Sequence, residues 1–247
     1  MTTKKTPGEI AAEEQADLFA DTVEIAQEIT EIILCPPYVY LEKFSENFKR
    51  KKGVKVGAQN SFWEKDGAYT GEISIPMLKN LGCEYVILGH SERRRYFGET
   101  NETANLKIKA ALKSGIMPVY CIGESGAERK MNLTKEIIIR QLQEGLQDIS
   151  RVNLEKIIIA YEPICAVGTD IVPNCNEIME ARLLIRKILT EKYGSKYALL
   201  TKIIYGGSVN SRIADQICLN PEMDGVLVGR ESLVPHELIK IAEIING

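Results

Sequence analysis

Two residues sit where proton chemistry could occur, each at the end of an apolar run. Glu162 closes KIIIAYEP (156–163), and Pro163 behind it biases its backbone away from helix. His90 closes EYVILGH (84–90). Burial would raise the glutamate's pKa toward the range useful to a general base. Ser91 can cap the helix SERRRYFGE, so His90 would feel the positive end of that helix, which disfavours imidazolium. A neutral imidazole can polarise a carbonyl by donating a hydrogen bond. Taken singly, each has a plainer account: a solvated carboxylate at a strand end, and a histidine satisfied within a polar core.

Glycine-rich turns change the balance. ICAVGTD (164–170) directly follows Glu162-Pro163 and reads as a mobile loop. Its small residues would let backbone N–H groups close over an anion. GGS at 206–208 and VGR at 228–230 are two further glycine turns at strand ends. Phosphate sites in α/β barrels use the loops after the last two strands together with the start of a short helix. One such turn is an ordinary tight turn; two, plus a lid, suggest a phosphate. The assembled equipment is a base, a neutral donor and a phosphate site. It suits moving a proton between adjacent carbons of a small phosphorylated carbonyl compound through an enediolate.

The elements that would position these groups are legible as alternating strands and helices. Thr6-Pro7-Gly8-Glu9 reads as a capping box that opens a helix reaching about Glu28. Seven apolar strands follow, at 31–37, 54–60, 84–90, 116–124, 156–163, 202–208 and 224–230. Helical sequence lies between them, at 74–81, after His90, at 132–149, at 176–193 and finally in PHELIKIAEII. The strands are continuous apolar runs, as in parallel sheets covered on both faces. No linker or compositional break interrupts residues 1–247, so a single α/β domain is expected. An open doubly wound sheet and a (β/α)8 barrel both fit this alternation. Chemistry-bearing residues follow strand after strand: Gln59-Asn60, Gly89-His90, Gly123-Glu124, Glu162, Gly206-Gly207-Ser208 and Gly229. A barrel gathers all these strand ends at one mouth, whereas an open sheet strings them along an edge.

Composition narrows the field. The chain has 247 residues and a net charge of −3, with 45% hydrophobic and 26% charged residues, which argues against nucleic acid or membrane as a general partner. The basic run KRKK (49–52) is expected in the last turn of a helix that Gly53 ends. No apolar stretch is long enough to span a bilayer, and no signal peptide is visible at MTTKKTPGEIAAEE. Six scattered cysteines without CxxC, and only two histidines, make a zinc site improbable and point to a reduced cytoplasmic setting.

Several segments carry a closer resemblance. GAQN…W…GAYTGEIS (57–74), EYVILGHSERRRYFGET (84–100), YEP…AVGT (161–169), YGGSVN (205–210) and DGVLVGR-x-SL (224–233) resemble the triosephosphate isomerase family, in order and over nearly the whole chain. The resemblance implies a (β/α)8 (TIM) barrel that interconverts dihydroxyacetone phosphate and glyceraldehyde 3-phosphate without a cofactor or metal. For that family the glutamate base, neutral histidine and loop closure are the known roles. By motif match Glu162 would be the base, His90 the electrophile and Glu92 a buried supporting carboxylate. Gly168, Ser208, Gly229 and Arg230 would stand where the family holds phosphate. Loop 59–71, leading into Tyr69-Thr70-Gly71-Glu72, would reach into a second copy and form a homodimer.

The sequence also departs from the pattern. The family opens on a strand ending in asparagine-tryptophan-lysine-methionine, with the asparagine and lysine in the site. No such strand precedes the first helix here, and neither Lys4 nor Lys5 inherits the lysine's role. The expectation is that MTTKKTPGE starts at that motif's methionine and that the first strand lies upstream; without it the chain would be impaired. Cys165 replaces the lid's usual tryptophan, DIVPNC differs from the common lid tail, and Arg230 replaces the second glycine of the phosphate turn. Arg230 is expected to point outward. The alternatives are an isomerase of a tetrulose phosphate and a catalytically impaired phosphosugar-binding barrel.

Overall fold

A computed structural model of the chain describes residues 31–163 and 174–246. The expected first helix, and with it the question of a first strand, lie outside the described residues. In chain order the elements are β1 (Ile32–Leu34), a 3-10 turn (Tyr38–Tyr40), α1 (Leu41–Phe48), β2 (Val54–Ala58), α2 (Ile75–Asn80) and β3 (Tyr85–Leu88). They continue with α3 (Ser91–Phe97), α4 (Asn101–Ser114), β4 (Met117–Ile122), α5 (Gly126–Lys130), α6 (Thr134–Gly145) and α7 (Arg151–Leu154). The last are β5 (Ile158–Tyr161), α8 (Cys175–Tyr193), α9 (Ser195–Leu200), β6 (Lys202–Tyr205), a π turn (Asp215–Leu219), a 3-10 turn (Arg230–Leu233) and α10 (Pro235–Asn246).

The strands form one parallel six-stranded sheet in sequence order, β1 to β6. Alternate residues separate two cores, as the period of two in a strand requires. Val86, Leu88, Tyr120, Ile122, Ile159, Tyr161, Ile203 and Tyr205 pack outward in the core shared with the helices, against side chains such as Ile108, Leu142 and Ile185. Tyr85, Ile87, Val119, Cys121 and Ala160 point the other way into a smaller core. Ile33 from β1, Ile204 from β6 and Leu227 beyond it pack against that same inner core. Residues from opposite edges can share it only if the sheet curls, so the six strands form a half-barrel.

The seventh expected strand is reduced to one parallel bridge, Tyr205 with Val226. Tyr205 N–H donates to Gly225 O at 3.0 Å, and Leu227 N–H donates to Tyr205 O at 2.7 Å. One step earlier a side chain replaces the ladder, because Ile203 N–H donates to Asp224 Oδ2 at 2.7 Å. That carboxylate takes the place of a backbone partner and shortens the regular pairing. The basic run also shifts: α1 ends at Phe48 with Lys49 as its C-cap, so Arg50, Lys51 and Lys52 lie beyond the helix in the turn to β2. The longer helices start where side-chain caps stand: Thr100 with Thr103 for α4, and Asn174 with Glu177 for α8.

Candidate active site

The inward alternation of β5 places Glu162 just past the strand, pointing into the half-barrel at the C-terminal edge. Its backbone prolongs the ladder: Glu162 N–H donates to Ile122 O at 2.7 Å, and Gly206 N–H donates to Tyr161 O at 2.8 Å. The residue is only 2% exposed. Space for it exists because its neighbours are glycines. A Cβ on Gly206 would stand 2.7 Å from Glu162 Cγ, and one on Gly123 would stand 2.0 Å from the Glu162 carbonyl oxygen.

His90 comes from the turn after β3, and its ring meets that carboxylate. His90 Nε2 lies 3.1 Å from Glu162 Oε1, and Ser91 N–H donates to Glu162 Oε2 at 3.1 Å. The other ring nitrogen, Nδ1, accepts from Glu92 N–H at 3.3 Å, so His90 itself caps α3, where the sequence pointed to Ser91. A nitrogen that accepts an amide proton carries none, so the neutral ring keeps its hydrogen on Nε2, facing Glu162. Burial alone would push the imidazole pKa down. The hydrogen bond and charge of Glu162, with smaller help from Glu92 and Glu99, outweigh burial and raise it. The charge of Glu162 thus opposes the helix end expected to hold His90 neutral. Cys121 points inward on β4, the strand next to that of Glu162. Its thiol is held well above the usual range by burial first and by that carboxylate second.

Glu92 is not the buried supporting carboxylate. Its side chain is 65% exposed, because α3 turns it outward while His90 caps the helix by accepting from its amide. The buried carboxylate beside the site is Glu99, which accepts from Gly89 N–H at 2.8 Å, from Arg93 Nε at 2.7 Å and from Lys107 Nζ at 3.1 Å. Lys107 also donates to Asn60 Oδ1 at 2.9 Å, which ties the end of β2 to the end of β3. Burial works against the charge of both partners. In Glu99 the Lys107 charge, the Gly89 amide and Arg93 outweigh it, so the carboxyl stays below its usual pKa. In Lys107 burial wins and the ammonium is lowered, since it faces one carboxylate, a neutral amide and the nearby Arg93 charge. Glu124 is fully buried and pairs with Arg129 at 2.9 Å, and Tyr161 donates its hydroxyl to it. Arg129 also reaches Glu177 at the start of α8, at 2.6 Å.

The expected phosphate residues are only partly placed. Ser208 follows β6, half-buried, and Gly229 and Arg230 follow the Val226 bridge, both exposed. All three lie past the same C-terminal strand ends as Glu162. Gly229 has φ −86, and Arg230 opens the 3-10 turn without positive φ, so the arginine is compatible with the turn. Gly168 and Cys165 lie outside the described residues. Sequence reasoning missed Glu99, Lys107 and Cys121. Cys121 could have been found from the strand alternation that places it beside β5; Glu99 and Lys107 lie in a loop and a helix and gave no such signal. Among the described residues, no cluster of His, Cys, Asp and Glu could hold a metal, and no helix is long and apolar enough to cross a membrane.

Comparison with known proteins identifies the family. The family model for triosephosphate isomerase matches residues 4–245. The triosephosphate isomerase of Dictyoglomus thermophilum is 45% identical over 232 residues, 93% of each chain. That of Synechocystis is 45% identical over 232 residues, 93% of this chain and 91% of the other, and that of Moorella thermoacetica is 42% identical over 216 residues, 87% and 85%. A buried carboxylate paired with a tautomerically fixed imidazole at the strand ends, in a chain this similar to those enzymes along its length, leads to one conclusion: the chain belongs to the triosephosphate isomerase family and acts as a triose-phosphate isomerase.

Proposed function

We propose that Glu162 is the base and His90 the hydrogen-bond donor in the interconversion of dihydroxyacetone phosphate and glyceraldehyde 3-phosphate. The observation that carries this is the approach of His90 Nε2 to Glu162 Oε1 at 3.1 Å, with Nδ1 committed to the α3 amide. Substrate entering between them would take over both partners. The carboxylate would remove a proton from the hydroxymethyl carbon of the ketone, and the C–H electrons would form the enediolate double bond. The carbonyl π electrons would move onto oxygen, where Nε2–H donates. Return of the proton to the neighbouring carbon, with transfer between the two oxygens, gives the aldehyde. With Glu162 turned to carbon, burial and the helix end again favour a neutral imidazole.

The phosphate end would use backbone amides of the turns carrying Ser208 and Gly229-Arg230, with the Arg230 side chain directed to solvent. Glu162→Gln and His90→Gln, assayed in both directions on triose phosphates, test the roles. A general base or acid contributes about 10²–10⁴-fold, so kcat is expected to fall in that range while the fold persists. Unchanged turnover in folded Glu162→Gln would refute the assignment.

Loop 59–71 supports a homodimer. Phe62, Trp63 and Tyr69 stack with ring centroids 4.1 and 4.6 Å apart, and Tyr69 is left 45% exposed at the loop's outer side. Sedimentation should show a dimer that Tyr69→Asp weakens; a concentration-independent monomer would rule the dimer out. We assign the enzyme to the cytoplasm, which cell fractionation checks.

A further inference from the structure

We propose that Arg94 is a positioning residue for the reaction: its guanidinium clamps the strand end that presents His90 to the strand end that holds the Glu162 backbone. The regular ladder between β3 and β4 ends at Leu88 and Tyr120. The next pair in register is Gly89 with Cys121. Gly89 turns to φ 73, a conformation that glycine adopts readily, and its chain leaves the sheet toward His90. At that step the guanidinium takes over from the ladder. Arg94 Nε donates to Gly89 O at 2.6 Å, and Nη2 donates to Cys121 O at 3.3 Å.

The guanidinium is itself held. Nη1 donates to Asn101 Oδ1 at 2.6 Å, and Asn101 Nδ2 in turn donates to Glu144 Oε2 at 2.7 Å. Nη2 also approaches the Tyr120 hydroxyl at 3.5 Å, and that hydroxyl donates to Gln141 O at 2.8 Å. The bare Gly89 Cα makes room for this: a Cβ there would lie 2.9 Å from Nη2 and 3.0 Å from Cys121 O. Two carbonyls on adjacent strands need a planar fork with fixed donors. Lysine can satisfy one of them but cannot fix both at once. Separating Gly89 O from Cys121 O would therefore shift His90 relative to β4, whose next residue, Ile122, holds the Glu162 amide at 2.7 Å, without removing a group that meets substrate.

This inference rests on the roles given above to His90 and Glu162. The test compares Arg94→Ala and Arg94→Lys with the unmodified enzyme, at equal folded concentration by circular dichroism. Displacement of a reacting group by about 1 Å costs on the order of 10²-fold, so Arg94→Ala should lose about that much kcat with KM nearly unchanged. Sub-denaturing guanidinium should restore part of the loss in Arg94→Ala, and Arg94→Lys should recover little. The chain has only His90 and His236, so imidazole NMR resolves both; only His90 should titrate lower in the variants as its contact with Glu162 loosens.

A kcat within about twofold of the parent in both variants would overturn the proposal. So would a loss that guanidinium does not restore, with His90 titration unmoved, since that marks a purely structural arginine. If Arg94→Ala does not fold, Arg94→Lys decides by its kcat and His90 titration. Loss of activity in His90→Gln and Glu162→Gln without any effect at Arg94 would refute the clamp alone. Full activity in those two variants would refute the catalytic pair on which it rests.

Discussion

His90 and Glu162 hold each other in place: Nε2 of the ring lies 3.1 Å from Oε1 of the carboxylate, while Glu92 N–H fixes the opposite nitrogen. The pairing stores a proton between two groups that substrate must separate. It also sets the titration of the unliganded enzyme, since the His90 pKa is raised against burial by Glu162.

Glu162→Gln should therefore lower the His90 pKa to or below the ordinary value of about 6.5, because burial then acts largely unopposed. The sign for stability follows. A raised histidine pKa stabilises the fold fully below the unfolded value, and that contribution is lost as pH rises through the folded value. Denaturant titrations across this window should show that slope in the parent enzyme and a weaker or reversed one in Glu162→Gln. Imidazole NMR reads the pKa directly.

Gly206→Ala should harm catalysis more than folding. The new methyl would stand 2.7 Å from Glu162 Cγ, so the carboxylate must move. Overpacking of this kind costs about 1–3 kcal/mol. Displacing the base by around 1 Å costs on the order of 10²-fold in rate. Steady-state kinetics should show most of the loss in kcat, with KM little altered.

Glu99 makes an acid-limb prediction. Its pKa is lowered by Lys107, the Gly89 amide and Arg93 against burial, so it contributes stability above its unfolded pKa. That contribution is lost as pH falls from about 4.3 through the lower folded value. Glu99→Gln should flatten the fall in stability over that range, measured by urea midpoints at each pH, and should cost stability at neutral pH because Lys107 stays buried without its charge partner.

Arg129→Met should destabilise strongly, because it strands the fully buried Glu124. Removing one partner of a buried pair costs about 3–5 kcal/mol, and the half-wet setting of Arg129 places the expectation near the lower end. Glu124→Gln should cost less, since Arg129 keeps Glu177. Calorimetry on the two variants should rank them in that order.

Much of this was readable from residue order. Strand ends announced Glu162 and His90 because apolar runs stop there, and the glycine turns after them marked one mouth. At the start of α3 a histidine nitrogen took the capping role expected of the Ser91 hydroxyl. Glu92 was misread because a motif records position but not which face of α3 the side chain takes. Glu99 and Lys107 were invisible for a related reason. Their pairing joins a loop to a helix turn eight residues on, and only the packing of α4 against β3 and β4 buries it. The seventh strand read as regular because its apolar run is intact; the Asp224 side chain, which substitutes for a ladder partner, has no signature in hydropathy.

The amide of Glu162 donates into the ladder between β4 and β5, and the carbonyl before it receives Gly206 from β6. Releasing that hydrogen to solvent requires parting β4 from β5 inside the sheet, a cost close to unfolding the protein. Its exchange should thus run on the slowest clock in the molecule, in step with global unfolding. The side chain only needs to change rotamer, a local motion that leaves the ladder intact. One residue therefore spans the extremes of the protein's time scales: a main chain that stays put for the lifetime of the fold, and a carboxylate free to carry a proton back and forth within a single turnover.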